Sequence, residues 1–240
     1  MDVLKNQTIA VLGGSSGIGL EVVRRAAQAG AHVIAAGRDR DKLEAALHGV
    51  HGHVRSMAVD ATDRLALKAF FQQAGPVDHL VLTLSGGEGA GTFAQLDLQA
   101  LRRGFEAKFW PQVQAAQTAL RVMRRGGSIT FVTAISARIA RAGVSGLGAI
   151  NGALESMIGT LALELAPTRV NAVSPGVIDT PWWDGLPAAA KAEVFDEQAR
   201  TLPAGRVGRS SDVARAVMFL AESDFVTGNV VECDGGLHLL

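Results

Sequence analysis

The sequence predicts an α/β fold, a doubly wound parallel sheet of about seven strands with helices on both faces. Short, fully apolar runs recur along the chain, a pattern typical of strands buried on both faces of a parallel sheet. Each run is followed by a longer segment of helical periodicity, so strands and helices alternate. The first run also ends in a glycine-rich turn that opens a helix.

Each element of this fold can be placed on the sequence. Strands are predicted at residues 8–12, 32–36, 53–59, 79–83, 128–133, 170–174 and 229–233. Helices are predicted at residues 17–29, 39–47, 64–74, 98–125, 146–166 and 211–222. Residues 178–203 break the alternation with prolines, two tryptophans and a short amphipathic stretch. We expect a lid-like insertion over a site there, with an ordinary surface helix as the alternative, because long insertions in compact domains usually have a function.

Length and composition favour one domain over residues 1–240 that binds a small molecule. The chain has 240 residues, of which 48% are hydrophobic, and this is enough for one large core. Lysine plus arginine equals aspartate plus glutamate at 23 each, so no net charge favours nucleic acid or an anionic membrane as a partner. No apolar run approaches the roughly 20 residues that cross a bilayer.

Cysteine and histidine usage adds two further expectations. Cys233 is the single cysteine, so an internal disulfide is excluded, and the N-terminal residues do not resemble a secretory signal. We therefore expect a cytoplasmic protein. His48, His51 and His53 cluster around a turn without carboxylates or cysteines, so no metal site is predicted.

The turn after the first strand has the sequence GGSSGIG at residues 13–19. Gly13 permits a tight turn, Gly17 lets the backbone approach a pyrophosphate, and Gly19 lets the helix pack closely on the strand. Phosphates would then meet free N–H groups at the positive end of the helix. This pattern predicts a Rossmann-type dinucleotide site. Its predicted phosphate-binding residues are Gly13, Ser15, Ser16, Gly17, Ile18 and Gly19.

The ends of the second and third strands indicate which nucleotide binds. Gly37 stands where a dinucleotide fold usually presents an acidic residue to the adenosine ribose, and Arg38 follows it. A guanidinium matches a 2′-phosphate in charge and geometry, whereas an NAD site uses a carboxylate. The sequence therefore favours NADP(H), with a solvated helix-start arginine as the alternative. Asp60, followed by Ala61, is placed to accept from the adenine amino group or to cap the next helix.

Five further motifs lie along the chain. They are PVDHLVL at residues 76–82, ELAP at 164–167, RVNAVSPGVIDTP at 169–181, GRVGRSSDVA at 205–214 and CDGG at 233–236. With the glycine turn and Asp60, they resemble the short-chain dehydrogenase/reductase family over nearly the whole chain. The resemblance implies that the nicotinamide end of the cofactor is lined by Pro175, Gly176, Ile178 and Thr180, with Thr83 and Ser85 in the loop after the fourth strand.

The resemblance fails at the family's catalytic asparagine, serine, tyrosine and lysine. In that order, the aligned positions hold Lys108, Ala134, Leu147 and Asn151. The family's tyrosine donates a proton to the carbonyl oxygen, and the neighbouring lysine raises its acidity. Because the chain contains no tyrosine, the family's usual mechanism is excluded.

Lysine and asparagine are nevertheless both present, with their positions exchanged. In the family fold these positions face each other beneath the cofactor. The Lys108 ammonium would therefore reach the nicotinamide ribose or a substrate oxygen, with Asn151 bridging through its amide or through a water. The alternative is an incidental helix lysine that extends to solvent. Lys108, Asn151 and Ser136 are the candidate catalytic residues, and Thr133 or a bound water is a further candidate to replace the tyrosine.

Three functions fit this sequence. The first is an NADPH-dependent reductase of an apolar or activated carbonyl, enone, iminium ion or quinone. Either one of the candidate groups replaces the tyrosine, or the substrate is electrophilic enough to need no enzymic acid, as enones, iminium ions and quinones are. The second is a non-catalytic NADP(H)-binding sensor or scaffold, and the third is an enzyme of another class that binds the nucleotide without using its hydride. The first is favoured because the nicotinamide half of the site and the lid-like insertion are both retained. Trp182 and Trp183 would close an apolar substrate pocket or anchor the insertion.

Association into a homodimer or homotetramer is also expected. The helices that carry Lys108 and Asn151 form subunit interfaces in related folds. In addition, the apolar tail LHLL at residues 237–240 needs to be covered.

Overall fold

The computed structural model describes residues 3–240 and contains a seven-stranded sheet with helices on both faces, so the predicted fold class is confirmed. The strands are β1 (Thr8–Leu12), β2 (His32–Gly37), β3 (His53–Ala58), β4 (Val77–Leu82), β5 (Met123–Val132), β6 (Arg169–Pro175), β7 (Ile178–Asp179), β8 (Gly208–Arg209) and β9 (Val230–Cys233). The helices are α1 (Gly17–Gln28), α2 (Arg40–Leu47), α3 (Arg64–Ala74), α4 (Leu98–Gly104), α5 (Trp110–Ala119), α6 (Ser145–Glu164), α7 (Ala188–Thr201) and α8 (Ser210–Glu222).

The sheet has the strand order β3-β2-β1-β4-β5-β6-β9, and all neighbouring strands are parallel. The chain moves outward from β1 to β3, returns to β4 beside β1, and then continues in the opposite direction. At such a reversal the loops after the two central strands diverge and leave a crevice at their carboxyl ends. The short strands β7 and β8 form a separate parallel pair.

Two hydrophobic cores hold the layers together, one on each face of the sheet. Along β1, Ala10 and Leu12 pack with α3, α5 and α6, whereas Ile9 and Val11 pack with α1, α2 and α8. This alternation follows from the period of two in a strand, and it explains why strands between two helix layers are apolar throughout. Within residues 3–240, no helix has both the length and the apolar character needed to cross a membrane.

The prediction of one continuous helix over residues 98–125 is wrong in two respects. A single π-helical turn at Phe105–Phe109 separates α4 from α5, and the last residues of the predicted range begin β5. Gly126 has φ +82°, and a Cβ atom on Gly127 would lie 2.1 Å from the Asp78 carbonyl oxygen. The helix has already ended at Ala119, and the glycine pair within β5 lets that strand pass close to the start of β4.

Residues 178–203 run from β7 through a 3-10 turn, Pro181–Trp183, into α7. The end of this segment is fixed by Leu202, which is buried against Ile135 and Leu237. Leu237 is thus covered by its own chain, and the expectation that the whole apolar tail needs covering is wrong for that residue.

Candidate functional site

Two adjoining cavities open at the carboxyl edge of the sheet where the strand order reverses. The larger, here called the main cavity, has a volume of about 520 Å³, and the smaller side cavity has about 260 Å³. The main cavity lies in the range of small-molecule and cofactor pockets. Six residues line both cavities and join them into one elongated site: Gly13, Ser16, Lys42, Thr83, Leu84 and Ser85.

The glycine turn forms the floor between the two cavities. Gly13 has φ +92°, and a Cβ on Gly19 would lie 2.2 Å from the Gly13 carbonyl oxygen, so α1 starts in close contact with the end of β1. Ser16 is the N-cap residue and makes no side-chain capping bond. The first N–H groups of α1 therefore have no intrahelical or side-chain capping partner within residues 3–240, and free N–H groups at a helix start are suited to bind an anion.

The side cavity receives the predicted adenosine-binding residues from the ends of β2 and β3. Ser15, Arg38, Asp60 and Ala61 all line it. Sequence analysis missed Lys42, which adds a second cation to the same cavity. The available signal was its position four residues after Arg38, across the start of α2.

Asp60 serves the loop after β3 and not the helix that follows. Its carboxylate accepts from the Thr62 backbone N–H at 2.9 Å and from the Thr62 hydroxyl at 2.7 Å. These bonds, with the charge of Arg38, hold the pKa of Asp60 below its usual value. The alternative role as a helix cap is wrong, because Asp63 caps α3 by accepting from the Leu65 and Ala66 N–H groups.

The residues predicted for the nicotinamide end lie around the main cavity. Thr83 donates its hydroxyl to the Leu12 carbonyl at 2.9 Å and so stands against the glycine turn. Gly17 lies next to Thr180, since a Cβ on Gly17 would lie 3.4 Å from the Thr180 Cβ. The full predicted set that lines the main cavity is Gly13, Ser16, Gly17, Ile18, Gly19, Thr83, Ser85, Pro175, Gly176, Ile178 and Thr180.

The π-helical turn carries Lys108 into the base of the main cavity. Its side chain is buried, and the residue is only 8% exposed. The ammonium donates to the Thr133 carbonyl at 2.9 Å. Burial lowers the pKa of Lys108 to about 8, and the nearby Glu155 carboxylate opposes part of that shift. The alternative of a lysine extending to solvent is therefore wrong.

Asn151 and Ser136 reach the same cavity from α6 and from the loop after β5. The Asn151 side-chain amide donates to the Ser136 hydroxyl at 3.1 Å and to the Leu147 carbonyl at 2.9 Å. Its Oδ1 atom is buried and accepts no hydrogen bond within residues 3–240. Among these residues Lys108 bonds to Thr133, and no direct bond joins it to Asn151. The expected bridge between the two therefore requires a third group.

Sequence analysis also missed Glu155, one helical turn after Asn151. The Glu155 side chain is 8% exposed, and its Oε1 atom accepts from the hydroxyls of Thr133 and Ser174, each at 2.8 Å. Its Oε2 atom pairs with Arg138 at 2.8 Å. The available signal was a carboxylate in a helix whose neighbouring positions are largely apolar, because buried carboxylates are rare unless paired.

Most of the remaining wall of the main cavity is apolar, and Glu88 and Arg141 are its charged members. It includes Ala134, Ile135, Ile139, Val144, Leu147, Ile150, Trp182, Trp183 and Leu237. The Trp182 indole N–H donates to the Gly86 carbonyl at 3.3 Å, across the cavity from its own segment. Trp183 packs edge-on against Trp182 and against Phe195 of α7. The tryptophan pair therefore lines the cavity and also ties it to α7.

Fold and site together define a Rossmann-type α/β protein with an elongated ligand site at the sheet's reversal point. The family model described as enoyl-(acyl carrier protein) reductase matches residues 13–238. The short-chain dehydrogenase/reductase ATR9 of Stachybotrys chlorohalonatus is 30% identical over 100% of both chains. The 3-oxoacyl-[acyl-carrier-protein] reductase FabG of Thermotoga maritima is 31% identical over 98% of both.

A solved structure gives the same result. The crystal structure of a small-chain dehydrogenase in complex with NADPH superposes with a TM-score of 0.85 at 32% identity, covering 98% of this chain and 100% of that one. The chain therefore belongs to the short-chain dehydrogenase/reductase family of oxidoreductases, as its motifs predicted.

Proposed function

We propose that the chain is an NADP(H)-dependent oxidoreductase that reduces an apolar or activated carbonyl, enone or quinone by a mechanism without a tyrosine acid. One observation carries this proposal. A buried ammonium, Lys108, stands in an otherwise mostly apolar cavity beside Leu147 and Ala134, in a chain that contains no tyrosine. When bound, the cofactor would supply the hydride, and the chain's own residues would supply binding, orientation and a proton.

The residues around the two cavities fit NADP(H). The unpaired N–H groups at the start of α1 suit a pyrophosphate, and the close approach of Gly19 to Gly13 leaves no room for a side chain there. Arg38 and Lys42 put two cations in the side cavity, where a 2′-phosphate needs them. The NADPH complex of a relative at 32% identity supports the same cofactor for this chain.

Lys108 is the proposed proton source. A general acid works best when its pKa lies near the working pH, and burial brings the pKa of Lys108 to about 8. The ammonium uses one donor on the Thr133 carbonyl, which leaves two for a ribose hydroxyl, a water or a substrate oxygen. Asn151, with its unpartnered Oδ1, would hold a bridging water or ligand hydroxyl, and Ser136 orients the Asn151 amide.

Residues 178–203 are proposed to act as a lid, and the whole chain as one domain. Trp182 and Trp183 line the main cavity from this segment, and the Trp182 indole N–H bonds the carbonyl of Gly86, which lines the same cavity. Such a segment would exclude water from an apolar substrate.

We also propose association into a homodimer or homotetramer. Trp110 on α5 and Leu163 on α6 support it, since they are 46% and 82% exposed.

A non-catalytic NADP(H) sensor is the second candidate. The observation that favours it is the combination of two cavities lined by the predicted nucleotide-binding residues with a chain that contains no tyrosine. A sensor would bind NADPH without consuming it, and that difference can be measured directly.

The test is incubation of the protein with NADPH and a panel of apolar ketones, enones and quinones, followed by absorbance at the nicotinamide band. The reductase is supported if NADPH consumption is lost in Lys108→Met and kept in Lys68→Met. Lys68 is an exposed lysine on α3. Tight NADPH binding with no consumption across the panel supports the sensor. Calorimetry that detects no heat with either NADPH or NADH contradicts both.

A further inference from the structure

A network of charged and hydroxyl side chains lies directly beneath the main cavity. Glu155 of α6 is at its centre and accepts from Thr133 after β5, Ser174 of β6 and the Arg138 guanidinium. Arg138 continues the network to Glu232 of β9 at 2.8 Å. One helix, two strands and the loop after β5 are thus joined in a network centred on one carboxylate, at the edge of the sheet that carries the site.

The network meets the cavity at Thr133. The Thr133 hydroxyl donates to Glu155 at 2.8 Å, and the Thr133 carbonyl accepts from the Lys108 ammonium at 2.9 Å. Thr133 is 3% exposed, and its backbone N–H is also bonded, to the Val173 carbonyl at 2.9 Å. Because each polar atom of Thr133 is held, the carbonyl that receives Lys108 has a fixed direction.

Charges in this network balance. Lys108 and Arg138 supply two positive charges, and Glu155 and Glu232 supply two negative ones. Lys108 faces the Glu155 charge from the π-helical turn, Glu155 faces Arg138 from α6, and Arg138 faces Glu232 on β9. An ammonium that is taken out of water keeps its proton only if an opposite charge compensates for the lost hydration. Glu155 is the buried carboxylate in a position to provide that compensation.

We propose that Glu155 is the positioning residue of the site: through Thr133 it fixes the direction of the Lys108 ammonium, and its charge keeps that ammonium protonated inside an apolar cavity. The inference rests on the proposed function in one respect. A protonated Lys108 is useful because, in that proposal, it donates a proton to the substrate or contacts the nicotinamide ribose. The network also fixes the residues that follow. Ala134 and Pro175, next to Thr133 and Ser174, both line the main cavity.

The test is the titration of Lys108 in the free protein, followed by NMR of labelled lysine side chains and assigned by the signal lost in Lys108→Met. Glu155→Gln keeps the shape and one acceptor oxygen but removes the charge. We expect the pKa of Lys108 to fall by about one unit or more, because an opposite charge nearby typically raises a lysine pKa by that amount. Glu232→Gln is the matched control. It removes the other carboxylate bonded to Arg138 and should leave the Lys108 titration close to that of the wild type.

Two further variants keep the inference falsifiable if Glu155→Gln does not fold. Glu155→Asp retains the charge and should bring the Lys108 titration back toward the wild-type value. Thr133→Val removes the hydroxyl that holds the carboxylate and should shift the titration in the same acidic direction by a smaller amount. A Lys108 titration that is unchanged in both Glu155→Gln and Thr133→Val, or shifted equally by Glu232→Gln, overturns the inference.

This titration needs neither nucleotide nor substrate. If Glu155→Gln lowers the pKa of Lys108 but NADPH is never consumed, the proposed function fails and the positioning role stands. If NADPH is consumed and the pKa of Lys108 is unchanged in Glu155→Gln, the proposed function stands and the positioning role fails. In a folded, active Glu155→Gln protein, the pH–rate profile should also shift to lower pH at its basic limb, which a merely structural role would not produce.

Discussion

The two ends of the site are built from different kinds of group. At the glycine turn, the groups that face the cavity are backbone N–H groups, and their placement depends on Gly13 and Gly19. Around Lys108, the facing groups are side chains from the π-helical turn, α6 and the loop after β5. A single substitution can change the side chains around Lys108 without disturbing the sheet. The N–H groups at the glycine turn can be changed only by altering the conformation of the turn itself. Nucleotide binding and chemistry are therefore separable in this fold, and experiments can address them one at a time.

The largest expected effect is at the backbone end. In Gly19→Ala, the new Cβ would lie 2.2 Å from the Gly13 carbonyl oxygen, so the turn must open. We expect NADPH affinity to fall by about 100-fold or more, and stability to fall by about 1–3 kcal/mol, as for other overpacked positions. Calorimetric titration and urea unfolding measure the two effects.

Gly152→Ala is the control for that substitution. Gly152 lies in α6, and apart from its chain neighbours and the local helix backbone no atom of residues 3–240 lies within 4 Å of the added Cβ. Alanine there should preserve NADPH binding and leave stability unchanged or raised by up to about 1 kcal/mol. Wild-type NADPH affinity in Gly19→Ala would show that the phosphates do not depend on this turn, and the contrast between the two ends of the site would disappear.

At the side-chain end, Lys108→Met removes the buried ammonium and keeps a chain of similar length. We expect turnover to fall by about 100-fold, the usual contribution of a positioned acid, with a change in NADPH affinity of less than about tenfold. Steady-state kinetics and nucleotide titration separate the two. Equal losses of turnover and of NADPH affinity would mean that Lys108 acts in binding alone.

Lys108 also makes stability depend on pH in a defined direction. Its pKa in the folded chain is about 8, below the ordinary value of 10.5. Between these values the unfolded chain holds the proton that the folded chain has lost, so the free energy of unfolding rises with pH. Relative to Lys108→Met, we expect the wild type to gain up to about 3 kcal/mol across this window. Urea unfolding at pH 7 and pH 10 measures the gain, and a difference that does not change with pH contradicts a buried, depressed lysine.

The same contrast explains what the sequence could and could not predict. The strands and the glycine turn depend on periodicity and on residues a few positions apart, so most were placed within two or three residues. The hydrogen bonds of Lys108 and of Glu155 are made to partners far along the chain. Glu155 bonds Thr133 and Ser174, at separations of 22 and 19 residues. Local sequence patterns do not predict such pairs, because the residues come together only when the sheet folds.

A smaller effect is expected in the side cavity, where the predicted adenosine-binding residues lie. Arg38→Ala should reduce NADPH affinity by about tenfold to a hundredfold and leave NADH affinity unchanged, because a guanidinium–phosphate pair is lost only with the phosphorylated cofactor. Lys42→Ala should act in the same direction but more weakly. Arg40→Ala, a nearby exposed arginine outside the set that lines the side cavity, is the control. Equal losses for NADPH and NADH would place Arg38 on a phosphate that both cofactors share.

The smallest effect is expected where the side-chain chamber meets the proposed lid. Trp182 contributes one partly exposed hydrogen bond to the Gly86 carbonyl and one face of the apolar wall. Trp182→Leu should therefore raise the KM for an apolar substrate by about fivefold, the loss of roughly one hydrogen bond, with kcat and NADPH affinity nearly unchanged. Phe225→Leu is the control, because Phe225 is an exposed aromatic residue that does not line the cavity. If both variants raise KM equally, the effect belongs to the stability of the chain as a whole. If Trp182→Leu alone lowers kcat, the segment from 178 to 203 takes part in the reaction step itself and not only in retaining the substrate.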